Sequence, residues 1–118
     1  THNNFRNLND SLSQYTGTES YHKTPFGFFY TDGIVALFTS FETTSWWILD
    51  IILSYQPQLK NEDFQQWKVI KKSADAAVVI CDDGNGKELV KQEIPFSDIS
   101  GNCTIWVENN VIYLPSER

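Results

Sequence analysis

TTSWWILDIILSYQ, residues 43–56, is the densest apolar run in the chain, and its reading decides the fold. Trp46, Trp47, Ile48, Leu49, Ile51, Ile52, Leu53 and Tyr55 fill almost every position. On a 3.6-residue period the apolar surface therefore runs nearly all the way round, which predicts a helix buried on several sides. The run is too short to span a bilayer, which takes roughly 20 apolar residues, and Asp50 and Ser54 interrupt it. Thr43, Thr44 or Ser45 can cap its first turn with a hydroxyl. Pro57 is expected to end it, because the residue before a proline is pushed out of the helical region.

Two features of this helix bear on function. Adjacent helical positions point about 100° apart, so one of Trp46 and Trp47 is expected between helix and sheet and the other toward a cleft or a partner subunit. Asp50 is a carboxylate on an otherwise apolar helix, costly unless paired or at a wet edge. It is read either as a satisfied structural group or as part of a cleft lining.

On the N-terminal side, Phe5, Leu8, Leu12 and Tyr15 recur at helical spacing ahead of Gly17 and predict an amphipathic helix. Residues 16–24 read as a loop. Phe26, Phe28, Phe29 and Tyr30 read as a strand stopped by Asp32-Gly33. Ile34, Leu37, Phe38 and Phe41 fit the i, i+3, i+4, i+7 template and favour a second helix over a second hairpin strand. Asp32 would then stand at its N-terminus, where the macrodipole favours a carboxylate.

On the C-terminal side the pattern changes. Asn61-Glu62-Asp63 suggests a short helical turn carrying Phe64. Residues 67–71, 76–82, 88–96, 104–108 and 111–114 are then β-branched or aromatic runs separated by turn residues. Asp83-Gly84-Asn85-Gly86 and Asn109-Asn110 have the chemistry of tight hairpin turns, since Gly and Asn tolerate positive φ. The expected fold is α+β: N-terminal helices packed on one face of a four- to five-stranded antiparallel sheet, a meander formed by the C-terminal half. With 118 residues, one domain is expected.

A hydrophobic content of 41%, with 14% aromatic residues, excludes a disordered chain. A formal net charge of -6 argues against direct nucleic-acid binding, which needs a basic footprint. The polar start THNNFRNLND resembles no leader or transit peptide, so a cytoplasmic location and no membrane association are expected. Cys81 and Cys103 lie in strand-like segments without a CxxC spacing and read as reduced, buried thiols.

The motifs that carry chemistry are mostly missing from the pattern. Asp82 to Gly86 invites a calcium-loop reading, but neither register places a glycine at loop position six. His2 and His22 have no cluster at zinc-ligand spacing. No GxSxG elbow, SxxK motif or phosphate-cradling loop is present. No cofactor and no metal site is expected. Pro115 reads as a strand terminator.

The chain resembles an uncharacterised bacterial family, domain-of-unknown-function family 6876. The resemblance rests on YTGTE at 15–19, YTDG at 30–33, WWILDII at 46–52, FQQWK at 64–68, DDGNG at 82–86, IPFSDI at 94–99 and LPSE at 114–117. It implies one domain and a small accessory protein of bacteria, plasmids or phages; the family carries no established activity to transfer, so the resemblance leaves the function open.

The residues together point to a non-catalytic, acidic protein-interaction module that binds another protein or itself as a homodimer. Asp32, Trp46, Trp47, Asp50 and Trp67 are the candidate binding or cleft residues, aromatic anchors being common at interfaces. Two alternatives stand beside it. One is a mobile-element inhibitor of a host nucleic-acid-binding defence complex, acting through Asp82, Asp83, Glu88, Glu93, Asp98, Glu108 and Glu117 gathered on one face. The other is a small hydrolase or lyase using Asp32, Asp50 or Asp98 as cleft carboxylates.

Overall fold

The computed structural model describes residues 21–24, 27–39, 46–95 and 101–117. The expected helix around Phe5 to Tyr15, the cap candidates Thr43 to Ser45, and Asp98 lie outside them. Short strands β1 (Tyr21–Lys23) and β2 (Phe29–Thr31) lead into helices α1 (Asp32–Thr39), α2 (Trp46–Ser54) and α3 (Gln56–Leu59). Five strands follow: β3 (Phe64–Lys71), β4 (Ala77–Asp82), β5 (Glu88–Ile94), β6 (Cys103–Glu108) and β7 (Val111–Tyr113). A short 3-10 turn at Pro115–Glu117 closes the described chain.

The expected arrangement of N-terminal helices on a four- to five-stranded antiparallel sheet is not the one that forms. One seven-stranded mixed sheet runs in the order β1-β2-β7-β6-β3-β4-β5. Its N-terminal edge comes from residues ahead of the helices, and residues 21–23, read as loop, are its outermost strand. β2 pairs in parallel with β7, through Phe29 opposite Val111 and Tyr30 opposite Ile112. Since β7 and β3 both run antiparallel to β6, β2 and β3 are parallel. Parallel strands need a crossover, and α1 to α3 are that crossover. β3-β4-β5 is a meander as read, but β6 turns back to pair with β3 on its other side.

Burial follows the strand period. In β3, Gln65, Trp67, Val69 and Lys71 are buried, while Phe64, Gln66, Lys68 and Ile70 are half-buried. Trp67, Val69, Ile105, Val107, Val79, Cys81 and Ile112 face the helices and meet Ile34, Phe38, Ile48 and Ile52 in one core. The opposite sheet face carries an edge-to-face row, Phe64 against Trp106 at 5.3 Å and Trp106 against Tyr113 at 6.1 Å.

Local chemistry explains the element ends. Residues 32–39 are helix, as the template predicted, but Asp32-Gly33 is a strand-to-helix junction and not a hairpin turn. Thr31 caps it, its Oγ1 accepting from Ile34 N at 3.4 Å. The carboxylate of Glu117 accepts from Gly33 N at 3.3 Å, from Leu114 N at 2.8 Å and from Thr31 Oγ1 at 2.6 Å. A Cβ on Gly33 would lie 2.6 Å from that carboxylate, so a glycine is what lets a distant acid reach the helix end. α2 stops at Ser54, but Pro57 does not end helical structure: it stands in the first turn of α3, where its missing N–H has no partner to lose. Residues 61–63 form no helical turn, and Phe64 opens β3. Asp83 to Gly86 and Asn109-Asn110 do turn the chain, with φ of 83° at Gly84, 95° at Gly86, 54° at Asn109 and 63° at Asn110. No described helix is long and apolar enough to cross a membrane.

Candidate functional site

The crossover helices and the β6–β7 turn leave a cleft between them at one end of the sheet. It holds about 760 Å³, within the roughly 300–1,000 Å³ of ligand pockets, and is partly open to solvent. Phe28, Leu53, Pro57, Leu59 and Val107 give it an apolar floor. Asp50 from α2, Glu62 and Asp63 from the α3–β3 connection, and Glu108 from the end of β6 surround that floor, with Lys60 as the single basic residue.

The back wall is built from amides. Gln56 and Gln65 bond each other reciprocally, at 2.9 and 2.8 Å. Gln56 Nε2 also donates to Ile52 O at 2.9 Å, and Trp67 Nε1 donates to Gln65 Oε1 at 2.9 Å. These buried groups satisfy one another, so they fix α3 against β3. Asp50, Glu62 and Asp63 make no side-chain hydrogen bond or ion pair among the described residues, and neither does Lys60. Glu108 accepts from Tyr113 OH at 3.1 Å. Among the described residues no three acids, histidines or cysteines are grouped so as to hold a metal.

The five candidate residues are distributed over three places. Asp50 is exposed on α2 at the cleft rim. Trp67 is wholly buried, its indole spent on the core and on Gln65, and offers no binding surface. Trp46 and Trp47 do not divide into one buried and one presented ring, since both are half-buried. Trp46 packs edge-on against Phe38 at 5.2 Å and Tyr30 at 5.7 Å. Asp32, outside the cleft lining, holds His22 Nε2 at 2.9 Å, and the His22 ring stacks on Tyr30 at 5.1 Å. His22, read as a lone loop residue, thus ties the edge strand to the start of α1. The strand it sits in is three residues long, too short to show a pattern, so nothing local signalled that pairing.

Among the proposed surface acids, Asp82, Asp83, Glu88 and Glu108 come to the cleft end of the sheet, because antiparallel pairing brings the ends of β4 and β6 beside the starts of β3 and β5. Glu93 pairs with Val78 at the far end, and Glu117 is engaged at α1, so the set does not share one face. Asp32 and Asp50 are likewise not brought together in this cleft. Both thiols are pushed up to about 12, Cys81 by burial and then by Asp82 and Glu62, and Cys103 by burial. They are unpaired and buried.

A family model matches residues 6–118. The chain belongs to DUF6876, a family of unknown function. Comparison of this DUF6876 chain with curated proteins and with solved structures found no match. The matched span contains every residue that lines the cleft.

Proposed function

We propose that this DUF6876 protein is a non-catalytic interaction module that receives a protein partner in the cleft between α2–α3 and the β6–β7 turn. The observation that carries the reading is the cleft itself: an open groove with an apolar floor, lined by Asp50, Glu62 and Asp63, whose carboxylates make no hydrogen bond or ion pair among the described residues. Apolar floors gain free energy when covered, at about 25 cal/mol per Å², and unneutralised carboxylates gain when they meet cations. The amide wall holds the groove in shape beforehand, which lowers the ordering cost of binding.

Ser54 is exposed and lines the groove, so Ser54→Trp should plug it without touching the core. Affinity capture from the source cell with tagged wild type, Ser54→Trp and the distant control Lys72→Trp is the test. The expected result is a partner recovered by wild type and control and lost by the plugged variant, with all three melting alike. Light scattering on the same proteins distinguishes a second copy of the chain from a foreign partner. Equal recovery by all three variants would refute the reading.

A further inference from the structure

We infer that the occupant of the cleft is an extended segment of a partner protein in which an apolar side chain is flanked by lysine or arginine. The inference rests on the interaction-module reading and adds the chemistry of what is bound. Asp50, Glu62 and Asp63 come from two separate segments on either side of Leu53, Pro57 and Leu59, and none is neutralised among the described residues. Glu108, at the end of β6, adds a fourth carboxylate to the lining. Lys60 is the one lining cation, so the formal charge of the lining is four acids against one base.

An anionic ligand meets repulsion here. A purely apolar ligand would bury the carboxylates' surroundings and leave charges without water or partner, which is costly. A cationic group beside an apolar one fits both parts of the lining at once. The groove's openness favours a chain segment over a small amine: pockets for small molecules bury roughly 70–90% or more of their ligand, whereas this one is midway between a closed cavity and a flat surface and leaves room for a longer chain. Asn109 and Asn110, exposed and held in a left-handed turn, add two amide side chains to the lining.

The test uses fluorescein-labelled peptides of alternating lysine and leucine, with glutamate and glutamine replacing lysine in two controls and glycine replacing leucine in a third. Anisotropy is measured against the whole protein and against Asp50→Lys/Asp63→Lys, whose fold is checked by thermal melting. Only the lysine–leucine peptide should bind, and the double reversal should weaken it by at least about tenfold, about 1.4 kcal/mol. Affinity should also fall as salt shortens the Debye length from about 10 Å at 0.1 M to about 3 Å at 1 M. Equal binding of the glutamine or glutamate peptide, or indifference to the charge reversal, overturns the inference. Equal binding of the lysine–glycine peptide, or equally strong competition by spermidine, overturns it in favour of a bare polyamine site. Should no peptide bind while Ser54→Trp still abolishes partner capture, the occupant's chemistry is wrong and the interaction module stands. Should the plug also leave capture intact, both fall.

Discussion

Replacing Gly33 by alanine should destabilise the protein, although the same change in most helices stabilises. Glycine costs a helix roughly 0.5–1 kcal/mol relative to alanine, so propensity alone predicts a gain. The new methyl, however, would sit 2.6 Å from Glu117 Oε1 and 2.7 Å from its Cδ. The carboxylate must move, and with it go its bonds to Gly33 N, Leu114 N and Thr31 Oγ1. Hydrogen bonds to a charged group are worth roughly 1.5–3 kcal/mol each when lost in burial. Glu117 is half-buried, so water replaces part of that, and about 2 kcal/mol for the displaced group is the appropriate scale. After the propensity gain, the net loss is about 1–1.5 kcal/mol, a fall in Tm of about 3–6 °C for a chain this size. Urea unfolding followed by tryptophan fluorescence resolves this. The decisive arm is the double-mutant cycle. In a Glu117→Ala background the obstruction is gone, and Gly33→Ala should become stabilising by roughly 0.5–1 kcal/mol. A stabilising Gly33→Ala in the otherwise wild-type chain, or the same cost in both backgrounds, would refute the reasoning.

Moving from 9.0 to about 12, three pH units, leaves about a thousandfold less thiolate on Cys81 and Cys103 at neutral pH. Both should therefore resist iodoacetamide in the native protein and react readily in denaturant, and a native disulfide detected by mass spectrometry would contradict this. Asp83 should titrate below its ordinary 3.8, because the amides of Asn85 and Lys87 donate to its carboxylate. Its folded value lies below its unfolded one, so its contribution is present above the unfolded value and is lost as pH falls through the folded value. A carboxyl NMR titration with a midpoint at or above 3.8 would argue otherwise. Gly84→Val should cost about 1 kcal/mol or more, since φ is 83° and a Cβ would lie 2.8 Å from the Phe64 ring, and calcium should leave the wild-type Tm unchanged. Trp67→Ala should cost roughly 3–5 kcal/mol, measured by the same urea unfolding, with no loss confined to binding.

Properties set by neighbouring residues were legible in the sequence. The strands 77–82, 88–94, 103–108 and 111–113 and the helix after Trp46 follow from periodicity and apolar density, which report how a segment is solvated, whereas over residues 34–42 periodicity favoured a helix without deciding between helix and strand. The turns at Asp83 to Gly86 and Asn109-Asn110 follow from positive φ, a property of single residues. The two cysteines were placed correctly because small sulfur-bearing side chains in apolar strands have nowhere else to go.

Pairing over distance was decided in three dimensions. Nothing local tells Phe29 and Tyr30 to lie parallel to Val111 and Ile112, more than half the chain away, or tells β6 to pass β4 and β5 and join β3. A three-residue strand such as Tyr21–Lys23 has too short a pattern to show alternation, and it exists because β2 offers it an edge. The cap at Gly33 depends on Glu117, and the bond between His22 and Asp32 on a hairpin register. The cleft belongs to the same class: Asp50 could be read from its helix as a satisfied group or a cleft residue, but nothing local joined it to Glu62, Asp63 and Glu108, and the four become one lining only when the crossover lays α2 and α3 beside the β6–β7 turn. Local sequence sets which way each residue faces. Which faces meet is set by the global balance of burial against chain entropy, and that balance is struck by the whole fold at once.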